Sequence, residues 1–340
     1  MSRPIIPSKV EDEILDAEPL GDGDKAEVIA GRSLKAIAWS RLRRDKWGMF
    51  SLISVVVILL LVTVGPPIAN FLMDNPTRSN VDELDMSTGG LPFGFLNSGI
   101  SWSHPLGVEP GTGTDIAMML LFGARISLLV AVTATIITVV IGVILGTISG
   151  FAGGWVDSAL GRLMDFVLVF PLLIMLLALS APLVQRLEAM GVPPGNPARV
   201  TYMIIVFGVF GWPYLARIIR GQVISLRERE FVESAVAMGS SGRRIVFKEL
   251  IPNLWAPILV YTTITLPSYI AFEAALAFLG VGVAPPATTW GKMLADSVTY
   301  VTVMPTYLFI PGTALFFVVL VFNQLGDSVR DALDPRAGRV

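Results

Sequence analysis

Residues 231–253 read FVESAVAMGSSGRRIVFKELIPN, from Phe231 to Asn253. The stretch is charged and helical in pattern, yet it lies between two strongly apolar runs. From Ser225 to Gly239 charged and apolar positions alternate at helical spacing, with Phe231, Ala235 and Met238 on one side and Glu228, Arg229 and Glu233 elsewhere. That spacing predicts a short amphipathic helix outside a membrane. Gly239–Ser240–Ser241–Gly242 permits a tight reversal, because glycine accepts positive φ and ends helices readily. A second helical piece is expected over Arg243–Leu250, with Pro252 marking entry into the next apolar run. The unit is a compact helix–glycine–helix knob that could fit a groove on another protein. On charge alone, the competing reading is a solvated loop that enforces orientation.

Composition sets the surroundings of this knob. The 340 residues are 53% hydrophobic and 15% charged, with a mean hydropathy of +0.69, too apolar for a soluble chain of this length. A spanning helix needs about 20 mostly apolar residues to cross roughly 30 Å of hydrocarbon. Six runs qualify, near Trp47–Ala69, Met118–Ser149, Leu163–Leu183, Thr201–Ile219, Pro257–Gly280 and Thr306–Leu325. The fold class expected is all-α, a polytopic membrane protein of six transmembrane helices. No cysteine is present, which removes disulfides, thiol catalysis and cysteine metal sites, and the single histidine, His104, cannot build a histidine cluster. No metal site and no catalytic residue are expected.

Lysine and arginine placement gives the orientation. Arg32, Lys35, Arg41, Arg43, Arg44 and Lys46 precede the first span and belong inside. The loop from Phe71 to Ala117 carries Asp74, Asp82, Glu83, Asp85, Glu109 and Asp115 against Arg78 alone, which suits the outer face. Arg220, Arg227, Arg229, Arg243, Arg244 and Lys248 cluster between spans four and five, so this connection is cytoplasmic. Six crossings return the carboxyl end to the inside, with both termini cytoplasmic. Arg125, opening span two from the outer side, is read as snorkelling to the headgroups.

The chain thus divides into an acidic tail (1–31), a basic cytoplasmic segment with the first span (32–70), an extracytoplasmic loop (71–117), a five-helix core (118–325) containing the cytoplasmic loop 220–253, and a cytoplasmic tail (326–340). The first segment has eight acids against three bases, a net of −5, and is expected to be disordered. It has no signal-peptide apolar core, so the first span is expected to stay uncleaved.

Within the spans, Gly142, Gly146 and Gly150 form a smooth stripe on which a helix can pack closely. Pro171, Gly211–Trp212–Pro213, Pro267 and Pro311–Gly312 each interrupt or kink a helix. Glu273 is the carboxylate well inside an apolar stretch. It has two readings: a group in a polar translocation pathway, or a hydrogen-bonded residue tying helices together. Asp165 is read as interfacial or packing.

The knob resembles the loop through which permease subunits of ATP-binding-cassette importers grip their ATPases. Their pattern is Glu-Ala-Ala, three residues, Gly, then a stretch ending in a hydrophobic residue and Pro. Glu233, Ala235, Gly239, Ile251 and Pro252 match, and Ser234 replaces the first alanine. The resemblance narrows to the C-type permease subunits of dipeptide, oligopeptide and nickel importers through five ordered runs: His104–Gly107, Gly123–Leu129, RLMDFVLVFP from Arg162, FLGVGVAPPATTWGKML from Phe278, and LGDSVRDALDPR from Leu325. After Gly107 the chain departs from that branch, reading Val108 to Asp115 where an acidic Gly-Arg-Asp turn is usual. The acidic tail also lies outside the resemblance.

The resemblance implies a type I importer permease fold and a heteromeric transporter. Its other parts are a similar second permease subunit, two ATPase subunits or domains, and an extracytoplasmic binding protein. Membrane lipid, and no nucleic acid, completes its surroundings. Glu233, Ser234, Ala235, Gly239, Arg229, Phe231 and Pro252 would couple to the ATPases. ATP and magnesium would be held by those partners, in keeping with the lack here of a G-x-x-x-x-G-K-[ST] phosphate loop, and the chain itself is not expected to be an enzyme. Cargo is peptide, with nickel or another small solute as the alternative. Trp290 and Pro286, in the outer segment Val281–Lys292, are candidate contacts for the binding protein or simple interfacial anchors. His104 is read as a structural loop residue ahead of its use as a metal ligand. A proton-driven secondary transporter would use Glu273 and the broken helices but has no need of the knob. An intramembrane enzyme would need a constellation absent from the sequence.

Overall fold

The computed structural model describes residues 34–333 apart from 73, 74, 76, 95 and 97, with the backbone alone for 34–37. The acidic segment 1–31 and the tail beyond Leu333 lie outside the described residues.

Six helices are long and apolar enough to span: α2 (Lys46–Leu72), α3 (Ile116–Ala152), α5 (Leu172–Ala189), α6 (Asn196–Arg227), α8 (Trp255–Phe278) and α10 (Pro305–Leu333). Between and before them lie α1 (Leu34–Arg44), α4 (Gly154–Val169), α7 (Glu230–Ala237) and α9 (Trp290–Tyr300). The long loop after α2 carries a two-stranded antiparallel pair, β1 (Leu84–Asp85) with β2 (Leu91–Pro92), in the register Leu84 to Pro92 and Asp85 to Leu91.

Five expected spans coincide with single helices, and the third does not. The run Leu163–Leu183 crosses a break at Phe170–Pro171. Proline has no N–H and pushes its predecessor out of the helical region. Phe170 accordingly sits at φ −84°, ψ 118°, ending α4, and α5 starts at Leu172. The third span is therefore α5, and α4 is a separate helix with Asp157, Arg162 and Asp165 on it. Pro213, Pro267 and Pro311 lie inside continuous helices.

α6 packs against α3 at the centre of the bundle. In lipid, helices gain little from hydrophobic burial against one another, so close van der Waals contact and hydrogen bonds decide association. The glycine stripe provides the contact. A Cβ on Gly146 would lie 2.5 Å from the Ala216 carbonyl oxygen, and one on Gly150 2.8 Å from that of Arg220. Only glycine permits that approach. The Thr138 and Tyr269 hydroxyls, 2.7 Å apart, tie α3 to α8, and the Tyr269 hydroxyl also donates to the Phe207 carbonyl at 3.1 Å. Such bonds average about 0.6 kcal/mol between membrane helices. Near the end of α10 the Ser328 hydroxyl donates to Asp45 at 2.6 Å, joining α10 to the α1–α2 turn. That bond holds the Asp45 carboxyl below the usual carboxylate range.

Candidate functional site

The knob is built on the end of α6. That helix stops at Arg227, and Arg229 is extended at φ −89°, ψ 146°, which resets the helical phase before α7. Ser225–Gly239 is therefore not one helix, and the apolar face differs from the one expected. Val232 and Ala235 are buried, whereas Phe231 and Met238 point outward. Glu230 and Glu233 occupy the first turn of α7, where acids favour the helix dipole. Gly239 sits at φ +73°. Its N–H donates to Val236 O, and Ser240 N–H donates to Ala235 O, the paired bonds that close a helix on a left-handed residue. The chain then turns through Gly242–Arg244, a wide turn Ile245–Leu250 and a tight turn Ile251–Asn253 into α8.

The two faces of this knob differ in kind. Val232, Ala235, Ile245, Leu250 and Leu254 pack with Leu215, Ile219 and Val223 of α6 in one buried cluster. On the opposite side Phe231, Val236, Met238 and Phe247 are exposed, by 39%, 58%, 79% and 69%, beside exposed Arg229, Glu233, Ser234 and Pro252. Exposed large apolar groups among charges mark an interaction surface.

Glu273 lies elsewhere, in the C-terminal half of α8, and is fully buried. The Ser127 hydroxyl of α3 donates to its Oε2 at 2.9 Å, while its buried Oε1 meets no hydrogen-bond partner among the described residues. Ser127 Oγ accepts from the Trp290 N–H at 3.3 Å, and the Trp290 ring N–H donates to Leu120 O at 3.0 Å. Glu273 thus joins α3, α8 and the start of α9. Trp290 is 4% exposed, locked into this knot, and so offers no surface for a binding protein. The cause is the helix start at Trp290, capped by Thr289, which turns the ring inward onto α3. Pro286 is exposed.

The loop between α2 and α3 is fastened by His104, whose Nδ1 lies 2.7 Å from Asp115 Oδ2, while Asp115 Oδ1 caps α3 through the Met118 N–H at 2.9 Å. The Tyr307 hydroxyl of α10 donates to Glu109 at 2.6 Å. Among the described residues no group of three or more His, Cys, Asp or Glu side chains could hold a metal ion.

Two ion pairs, not foreseen from the sequence, link α4 to α6. Asp157 accepts from Arg220 Nε at 2.5 Å and Nη2 at 2.6 Å, and from the Ser149 hydroxyl at 2.5 Å. The Arg220 bonds, then Ser149, hold the Asp157 carboxyl at about 2. Asp165 pairs with Arg217. No spacing rule links these residues, which lie 63 and 52 positions apart in the chain.

A six-span bundle with a knob of two unlike faces on one inter-helix connection has the architecture of a multi-pass membrane subunit. The comparisons agree. Residues 139–339 match the family described as binding-protein-dependent transport system inner membrane component, and residues 33–84 match the N-terminal TM domain of oligopeptide transport permease C. The chain is 33% identical over 322 residues to the oligopeptide transport system permease protein OppC of Escherichia coli K12, covering 94% of this chain and 97% of that protein. It is 34% identical over 313 residues to OppC of Bacillus subtilis, covering 92% and 93%. A chain of the MetNI methionine ABC transporter in an inward-facing conformation shares the fold at a TM-score of 0.52 and 19% identity, over 64% of this chain and 98% of that one. The chain belongs to the family of inner membrane components of binding-protein-dependent transport systems. It is a multi-pass membrane permease subunit of an importer, working with ATPase subunits and a substrate-binding protein, and ATP hydrolysis is the partners' task.

Proposed function

We propose that this chain carries peptides across the membrane as one of two permease subunits, coupled to two ATPase subunits or domains through the exposed face of the knob. The observation that carries the reading is the division of the knob, one face sealed to α6 and the other presenting Phe231, Val236, Met238 and Phe247 with Glu233. Closure of the nucleotide sites, where the ATPases hold ATP and magnesium, moves the knob and shifts the bundle between outward- and inward-facing states. Glu233, Ser234, Arg229, Phe231 and Pro252 make the contact, Ala235 fits the knob to the bundle, and Gly239 sets its shape. Both termini lie in the cytoplasm with the knob, as the lysine and arginine placement supports. Pro286 and the loop fastened by His104 face the binding protein outside. Glu273 is a structural tie and not a pathway group, a role its full burial and its bond from Ser127 support.

The test uses the complete complex purified in mild detergent. Cysteines at Val236 and Met238 are expected to crosslink to the ATPase, whereas one at Pro286 crosslinks to the binding protein. Knob cysteines that meet only solvent or lipid overturn the reading.

A further inference from the structure

Two cavities open along one face of α6. The inner one, about 460 Å³, lies between α4 and α6, with Asp157, Arg162, Asp165, Arg217 and Arg220 in its wall. The second, about 450 Å³, lies beside the α4–α5 break and reaches across α6 to α8. The two are consecutive. α4 places Asp165 on the first and Val167 on the second, and α6 places Arg217 on the first and Tyr214 on the second, one step of about 4.5 Å along the helix. Ser268 of the second cavity stands near the middle of α8, so this cavity is at mid-depth.

The mid-depth cavity has no charged residue in its wall. Six rings line it, from Phe170, Phe210, Tyr214, Tyr261, Tyr269 and Phe272, and its hydroxyls come from the three tyrosines with Thr265 and Ser268. Its volume falls within the roughly 300–1,000 Å³ of small-molecule sites, which are likewise mostly apolar with a few polar groups. Tyr214 is 63% exposed in mid-span. A hydroxyl there is costly against hydrocarbon and suits a wet passage or a polar cargo. Four of these hydroxyls already donate to main-chain carbonyls, Tyr261 to Gly211, Tyr269 to Phe207, Thr265 to Tyr261 and Ser268 to Ile264, which leaves Tyr214 as a donor and the other four as acceptors. A lipid tail has nothing for them to bond. A peptide does, because its backbone N–H and C=O groups need partners once they leave bulk water.

We infer that the mid-depth cavity is where peptide cargo is screened in transit, its backbone meeting the hydroxyls and its side chains the rings. The inference rests on the peptide-importer reading. Because the wall carries no charge, the cavity favours neither sign of cargo side chain and discriminates by bulk. Beyond it the inner cavity offers three guanidinium groups and two carboxylates, of which Arg220–Asp157 and Arg217–Asp165 are already paired, so that the exit holds no strong field of one sign.

The chain has no cysteine, so single cysteines at Tyr214, Ser268 and, as a control, Phe316 are the sole thiols in this subunit. Phe316 is exposed on α10 and lines neither cavity. The complete complex with its binding protein is reconstituted in vesicles and treated with a charged, membrane-impermeant thiol reagent, with trialanine as cargo. Y214C and S268C are expected to react faster than F316C and to be slowed by trialanine. In a separate variant, Y214W lowers uptake of Ala-Trp-Ala relative to trialanine about tenfold, the scale on which pockets read a change in bulk. The same variant leaves the ratio of Ala-Lys-Ala to Ala-Asp-Ala uptake unchanged. Should Y214C and S268C label no faster than F316C, or be unmoved by trialanine, in a complex that still imports peptide, the cavity assignment falls and the importer reading stands. A Lys-to-Asp ratio altered by Y214W overturns discrimination by bulk. An unmodified complex that imports no peptide overturns the importer reading and this inference with it.

Discussion

Gly239 offers a substitution whose cost can be read from the backbone alone. It holds φ +73°, and a Cβ built there meets nothing within 4 Å, so an added methyl clashes with none of the described residues. The penalty is conformational. A left-handed residue with a Cβ costs about 1–2 kcal/mol, less for asparagine, which visits this region, and more for a β-branched side chain. One to two kcal/mol shifts a local equilibrium about 5- to 30-fold. The bundle does not pass on this cost, because Val232 and Ala235 before the reversal and Ile245 and Leu250 after it are separately seated on α6. What changes is the angle between the two halves of the knob. Gly239→Asn, Gly239→Ala and Gly239→Val should therefore insert and assemble at wild-type levels. Peptide uptake per ATP hydrolysed in reconstituted vesicles should fall in that order. Equal losses for Asn and Val would place the effect in a steric contact with the ATPase, and wild-type coupling in all three would refute the reasoning outright.

Gly146→Leu should weaken α3–α6 packing by about 1–3 kcal/mol, the usual cost of overpacking, seen as a lower thermal midpoint in detergent, whereas Gly161→Ala, with open space around it, should not lower the midpoint. Ser127→Ala removes one hydroxyl that serves both Glu273 and the Trp290 N–H and should cost about 1–3 kcal/mol by the same measurement, a wild-type midpoint counting against the knot. Asp157 titrates at about 2 when folded against 3.8 unpaired, so its contribution is complete above about pH 4 and is lost as pH falls through about 2. Asp157→Asn should accordingly cost about 1.5 kcal/mol, the low end for hydrogen bonds to charged groups because the pair is partly open to solvent, and the same amount at pH 5 and pH 8. A penalty that changed between those two pH values would mean that another group governs.

Five of the spans were legible because runs of about twenty mostly apolar residues have few other uses, and the glycine stripe because only close helix packing repays a bare backbone at every fourth position. The third span was misplaced where hydropathy and local sterics disagree: the apolar run continues through Phe170, but Pro171 forbids the helix from doing so. In the knob, the reversal at Gly239 was readable from glycine chemistry, yet the inward face was not. A single extended residue, Arg229, shifts the helical phase, exchanging Phe231 and Met238 for Val232 as the residues that accompany Ala235. Trp290 looked like an interfacial aromatic, and its burial depends on Ser127 and Leu120, more than 160 residues away in sequence. The Asp157–Arg220 and Asp165–Arg217 pairs were invisible for the same reason.

The cluster that seats the knob has a mechanical meaning. Leu215, Ile219 and Val223 belong to the same helix that carries Tyr214 and Arg217 into the two cavities. Close-packed interiors yield little to compression. On the proposed coupling, a push on the knob would reach the walls of both cavities along this one helix, so that the width of the passage would follow the stroke of the motor.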